Sequence, residues 1–176
     1  LELENGDEVR ADAVVSGLGI DVATELAEDA GLRVDDGVHV DEYLRTSAAD
    51  VYAAGDVASY PDRLLGRRRV EHVDNANEQC TAAGRNLAGA AEPYTHTPYY
   101  YSAVFGIRYE AVGTLDSSLE TVEDWIDGER GVVFYLDDDR VVGVLLWNVE
   151  DARDAAREVL AAADTLTRDD LVGRIR

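Results

Sequence analysis

The chain has 176 residues, with 16 basic against 37 acidic side chains and a formal net charge of −21. That length holds one ordinary domain or two small ones, and acid dispersed along folded sequence excludes a surface built to grip nucleic-acid phosphates. Every basic residue is Arg, a balance that fits a salt-in halophile, where high ionic strength screens self-repulsion.

One cysteine, Cys80, leaves no intrachain disulfide and no CxxC pair, and its helical surroundings predict a buried, inert small residue. There is no run of about 18 apolar residues and no signal peptide, so the expectation is a cytoplasmic protein without a membrane span. The chain opens mid-pattern on LELENGDEVRADAVVSGLG and reads as the C-terminal piece of something longer.

Asn5-Gly6 is a strong hairpin signal between the apolar positions 1–3 and Val9. An apolar run at 13–15 follows, broken by Ser16-Gly17-Leu18-Gly19. Without a third glycine that stretch is a poor phosphate loop and a better turn. Residues 21–30 predict a helix capped by Asp21, with Val22, Leu26 and Ala30 on one face and Gly31 ending it. An Asp36-Gly37 turn leads to a short strand at 38–40, where His39 has no second ligand nearby and reads as structural. Residues 46–50 form an approach turn, and the apolar run 51–54 suits a buried strand of a parallel sheet. Gly55 and Asp56 would then stand at its C-terminal end, where open α/β sheets bind ligands. Gly admits close backbone approach there, and Asp offers a short acceptor to a polyol hydroxyl; a helix-capping Asp is the alternative.

Residues 59–70, with Pro61, Gly66 and Arg67-Arg68-Arg69, predict a solvated loop whose arginines pair with neighbouring acids. A helix from about 75 to 87 follows, carrying small residues at Ala76, Cys80, Ala83, Gly84 and Ala88 for close packing. Pro93 and Pro98 mark a link into a second unit. That unit starts with Tyr99, Tyr100 and Tyr101, which cannot all face one way, so at least one reaches a surface or cleft. Strands are expected at 111–115, 132–136 and 141–146, the last two joined by an Asp-rich turn. A helix near Glu150 has Ala152, Ala155, Ala156, Val159 and Leu160 as its apolar face, and a short helix starts near Arg168.

The segment TSAADVYAAGDVA resembles the second flavin motif of the pyridine nucleotide-disulfide oxidoreductase-like flavoproteins, which have two dinucleotide-binding domains. EHVDNANEQCTAAGRNLAG is similar to the flavin-domain terminal helix of that family. YEAVGTLDSSLETV, with the strand pair ending in LLWN, resembles the C-terminal domain of its apoptosis-inducing factor-like and ferredoxin reductase-like members. The resemblance implies an α/β fold: Rossmann-like parts ending a two-dinucleotide-binding-domain flavoprotein, then an α+β C-terminal reductase domain. Residues 1–31 would end the NAD(P)-binding domain, 32–91 would be the C-terminal part of the FAD-binding domain, and 92–176 the interface domain.

It also implies FAD and NAD(P)H as cofactors, with hydride passing from nicotinamide to flavin and electrons passing on to a small-molecule or small redox-protein acceptor. The N-terminal fingerprints would belong to the remainder of the same polypeptide. The implied site residues are Gly55 and Asp56 at the ribityl chain, Glu71, His72 and Val73 at the pyrimidine edge, and Tyr101 and Glu110 on the nicotinamide side. No protein acid or base is needed for the hydride step, and no metal ligand is implied. The alternative is a non-catalytic docking or dimerisation module that uses the acidic helix from Glu150. A disulfide reductase of the same superfamily would need a redox cysteine pair; this segment has one cysteine, so support for that reading would have to come from the N-terminal region it lacks.

Overall fold

In the computed structural model, which describes residues 2–176, the chain makes two sheets. The first runs β1 (Val34–Asp35), β2 (Gly37–His39), β3 (Ala58–Asp62) and β4 (Gly66–Arg68), in that spatial order. Its outer pairings are antiparallel, while β2 and β3 run parallel with Val38 opposite Ala58. The second sheet is antiparallel throughout. It contains β5 (Tyr99–Val104), β6 (Ile107–Gly113), β7 (Glu120–Trp125), β8 (Gly131–Asp137) and β9 (Arg140–Trp147), in the order β5-β6-β9-β8-β7. The helices are α1 (Glu25–Asp29), α2 (Val73–Leu87) and α3 (Arg153–Ala161).

The second sheet forms because its strands are β-branched and aromatic and end in tight turns. Asp138 and Asp139 both take positive φ between β8 and β9, where their short polar side chains tolerate the left-handed region. Val112, Val132, Phe134, Val144 and Leu146 then meet Ala156, Val159 and Leu160 of α3 in the larger core. The smaller core, under the first sheet, joins Val40, Leu44, Ala58, Tyr60, Ala83 and Tyr94. Tyr94 comes from the link between the sheets and meets Tyr60 edge to face at 5.4 Å.

The structure departs from the sequence reading in several places. Residues 51–54 are not a strand: Tyr52 makes an isolated antiparallel bridge to Arg45, and Val51 is 40% exposed. A parallel strand needs a neighbour to pair with, and among the described residues the only parallel pairing comes later, in β3. Residues 59–70 are the β3–β4 hairpin rather than a loop, and Pro61 and Gly66 lie within its two strands. The helix expected at 21–30 shrinks to α1, which follows Thr24 rather than Asp21 and leaves Leu26 86% exposed. The run at 13–15 forms no strand. The Asn5-Gly6 turn does form, closed by the Leu3 N–H to the Asp7 carbonyl and a Glu2–Glu8 bridge; Leu1 lies outside the described residues. Cys80 is exposed, because it sits one position past Gln79 on the buried face of α2.

Candidate functional site at the start of α2

The geometry is built around one helix end. His72 takes extended backbone and hands over to Val73, and no side chain caps the helix. An uncapped start leaves first-turn N–H groups without an intrahelical partner and carries roughly half a positive elementary charge. Asp74, in the first turn, is committed elsewhere. Its Oδ2 lies 2.6 Å from His96 Nε2 and accepts the Tyr99 N–H at 3.1 Å. Burial pushes the Asp74 carboxyl up, but His96, the Tyr99 amide and Arg157 together hold it below the usual carboxylate range.

Gly55 and Asp56 approach this end from the first sheet. Gly55 is buried with φ +79°, and its N–H donates to Gln79 Oε1 of α2 at 2.8 Å. An added Cβ would meet Ala76 Cβ at an ordinary 3.7 Å, so it is the backbone angle that requires glycine. Asp56 follows in a 3-10 turn, exposed, and its carboxylate makes no hydrogen bond or ion pair among the described residues. Arg69 ties the neighbourhood together. Its Nη1 donates to the Asp56 carbonyl at 3.1 Å and to Glu71 Oε1 at 2.7 Å, and its Nε to Asp36 Oδ1 at 2.9 Å.

On the other side stands the aromatic start of the second sheet. The His72 ring lies 5.6 Å from that of Tyr101, 6.1 Å from Tyr100 and 6.2 Å from Tyr99. His72 Nε2 accepts the Tyr101 N–H at 3.4 Å, and its Nδ1 is buried with no partner among the described residues. Tyr101 is 47% exposed while Tyr99 and Tyr100 are partly buried, so one of the three tyrosines does reach the surface. Burial pushes the Tyr100 hydroxyl up to about 12. Val73 is exposed beside them.

Glu110 stands opposite Tyr101 in the β5–β6 register, with its side chain only 4% exposed. One oxygen accepts from Arg108 Nη2 at 2.9 Å and the other from Arg153 Nε at 2.7 Å. Burial raises the Glu110 carboxyl, and the two arginines outweigh it, leaving a net lowering. Each arginine lies over a tyrosine: Arg108 5.1 Å from the Tyr101 ring and Arg153 4.2 Å from the Tyr99 ring.

Gly55, Asp56, Glu71, His72, Val73 and Tyr101 are thus gathered at the start of α2, with Glu110 behind Tyr101. Sequence reasoning passes over Gln79, Arg69, Arg108 and Arg153. Arg69 lies in a run read as solvated, and Arg153 is 43 positions from its partner, so no local spacing exposes the pair. Gln79 carries a faint signal, as a polar residue four positions before Ala83 on a face of small ones. Among the described residues no three His, Cys, Asp or Glu side chains gather as metal ligands, and no helix is long and apolar enough to cross a membrane.

Residues 1–80 match the pyridine nucleotide-disulphide oxidoreductase model, and residues 83–128 and 123–162 match the C-terminal model of apoptosis-inducing factor. The chain thus carries a pyridine nucleotide-disulphide oxidoreductase segment followed by an apoptosis-inducing factor C-terminal segment. It is 30% identical over 162 residues to the ferredoxin–NAD(+) reductase component of 3-phenylpropionate/cinnamic acid dioxygenase from Photorhabdus laumondii, covering 92% of this chain and 41% of that one. It is 35% identical over 180 residues to mitochondrial apoptosis-inducing factor 1 of Dictyostelium discoideum, covering 93% and 34%. The crystal structure of a ferredoxin reductase from Rhodopseudomonas palustris superposes with a TM-score of 0.81 at 27% identity, covering 95% of this chain and 42% of that one. The chain therefore spans well under half the length of the relatives it matches. The two matched models meet at 80–83, within α2, so the candidate site lies where they join.

Proposed function

We propose that the chain is the C-terminal portion of an FAD-dependent NAD(P)H oxidoreductase that delivers electrons to a small redox protein or a small-molecule acceptor. The observation that carries this reading is the uncapped start of α2, flanked by two groups without a partner among the described residues, the Asp56 carboxylate and the buried His72 Nδ1, and by the exposed aromatic face of Tyr101. Orphaned polar groups around a fixed positive end fit a ligand that brings hydroxyls and a ring able to take negative charge. When bound, the flavin would supply an acceptor for a hydride, that is two electrons carried with one proton, which the protein cannot supply from its own side chains.

In this reading each residue binds or positions. The Asp56 carboxylate accepts from sugar-alcohol hydroxyls, and Gly55 lets the backbone turn close to them. The Val73 amide and the dipole of α2 favour negative charge at the ring edge they face, while Glu71 and His72 line that edge. The Tyr101 face shields the nicotinamide side from water. Glu110, with both oxygens engaged, positions Arg108 over Tyr101 rather than touching the nucleotide itself. The domain division at 31/32 and 91/92 is part of the same proposal, and it is supported by the two sheets falling on either side of the 92–98 link.

The test is a visible spectrum of the whole polypeptide, purified in molar salt, before and after NADH. A flavin band that bleaches with NADH, and is lost in Asp56→Ala, is the expected result. A protein that holds no flavin even after FAD is added would overturn the reading.

A further inference from the structure

The chain has 37 acids for 16 arginines, and two of the arginines that form no ion pair among the described residues meet at one pocket. The pocket, about 260 Å3, opens beside β2 and is lined chiefly by Arg33, His39, Asp41, Arg45, Ser47 and Arg67. It shares no residue with the site at the start of α2 and does not rest on the flavin reading.

Arg33 has no side-chain hydrogen bond or ion pair among the described residues; its backbone N–H donates to Ser47 Oγ at 3.0 Å. Arg67 reaches across from β4 and gives its guanidinium to two backbone carbonyls, Ser59 at 2.6 Å and Val40 at 3.1 Å, and to no carboxylate. Its charge is therefore held in place by carbonyls, with Asp35 answering it only at a distance and Arg33 opposing it. Arg45 is answered by Asp41 through Nε to Oδ2 at 2.9 Å. The lining carries three guanidinium groups against the carboxylate of Asp41, with Asp35 just outside at 3.6 Å from His39 Nε2. The imbalance is felt locally. Burial, then Arg67 and Arg33, hold His39 below its ordinary value against the opposing pull of Asp35.

We propose that this pocket binds a small anion of the phosphate class, with Arg33 and Arg67 as charged donors and the Ser47 hydroxyl as a neutral one. The planar fork of Arg matches two phosphate oxygens at once. Arg67 is already oriented by its carbonyl bonds, so little of its side-chain freedom remains to be lost on binding. A bound dianion would also relieve the repulsion between Arg33 and Arg67.

The experiment is a 31P NMR titration of the protein with inorganic phosphate and, separately, glycerol 3-phosphate, at ionic strength held constant with sodium chloride. Saturable broadening is expected. It should weaken about tenfold in Arg33→Gln, as for loss of one charge-assisted bond, and remain unchanged in Arg85→Gln, an arginine elsewhere on the surface. Tighter binding of glycerol 3-phosphate would assign a phosphomonoester, and the reverse order the free ion. Arg33→Gln removes no side-chain contact of the folded state, so its thermal midpoint without phosphate should match that of the unaltered protein. Absence of saturable binding by either probe, or equal affinity in Arg33→Gln and Arg85→Gln, would overturn the proposal.

Discussion

The two long helices bury opposite chemistry. α3 turns Ala156, Val159 and Leu160 onto the second sheet, whereas α2 buries Asn75, Gln79, Ala83 and Asn86. The polar face of α2 is held by directed hydrogen bonds, although Gln79 Nε2 is buried without a partner among the described residues. Asn75 donates to the Val70 carbonyl and accepts from the Tyr94 hydroxyl, Gln79 accepts from Gly55, and Asn86 holds Tyr43 and Glu92. Apolar burial is non-directional and scales with the area removed from water, while a hydrogen bond adds little net stability but fixes position. α3 therefore supplies stability, and α2 fixes the loops that surround its own start. The difference teaches where the chemistry sits: the candidate site is placed by the helix whose packing is directional.

The largest expected effect tests the apolar side. Phe134 is fully buried in the larger core, so Phe134→Ala should cost about 3–5 kcal/mol through lost transfer energy and the cavity left behind. Chemical denaturation followed by circular dichroism reads it. A cost near zero would show that the second sheet does not rely on this core.

A smaller loss is expected on the polar side. Gln79→Ala leaves the buried Gly55 N–H without its acceptor, a penalty of about 1–3 kcal/mol. Its signature is local: amide hydrogen exchange at Gly55 and Asp56 should quicken more than at Val132 or Leu146. Uniform quickening across both halves would erase the distinction between the two helices. Gln79→Glu sharpens the test, because it keeps an acceptor of similar shape and should restore slow exchange at Gly55.

How far the sequence reveals this arrangement depends on whether the cause is local. α2, α3 and strands β6, β8 and β9 are legible to within a few residues, because apolar spacing and turn residues are local signals. β7, ETVEDW, reads as polar, and its strand state comes from pairing with β8. The hairpin β3–β4 is hidden by Pro61, Gly66 and three arginines, which look like a loop until β2 is placed alongside. Conversely, 51–54 has the composition of a strand and lacks a neighbour to complete one. Within the site, residues near Asp56 and at the start of α2 stand out by motif. The Arg108–Glu110–Arg153 clamp does not, since it joins β6 to α3 through tertiary packing alone.

That clamp supplies the smallest expected effect, and it is read through pH. Burial favours the neutral form of Glu110, while Arg153 and Arg108 favour the ion and prevail, so its carboxyl titrates below the ordinary range when folded. A lowered folded value stabilises the protein above the unfolded value, near pH 4, and that contribution is lost as pH falls through the folded one. Glu110→Gln should therefore be less stable than the unaltered protein at neutral pH, and the gap should narrow as pH falls from about 5 towards 2. The loss should remain below that of Phe134→Ala, because Arg108 and Arg153 are 44% and 33% exposed and can turn to water when their partner is neutral. Thermal midpoints at matched ionic strength measure the gap. A gap that stays constant with pH would mean that the Glu110 carboxylate contributes shape rather than charge, and that α3, like the core it covers, is docked by packing alone.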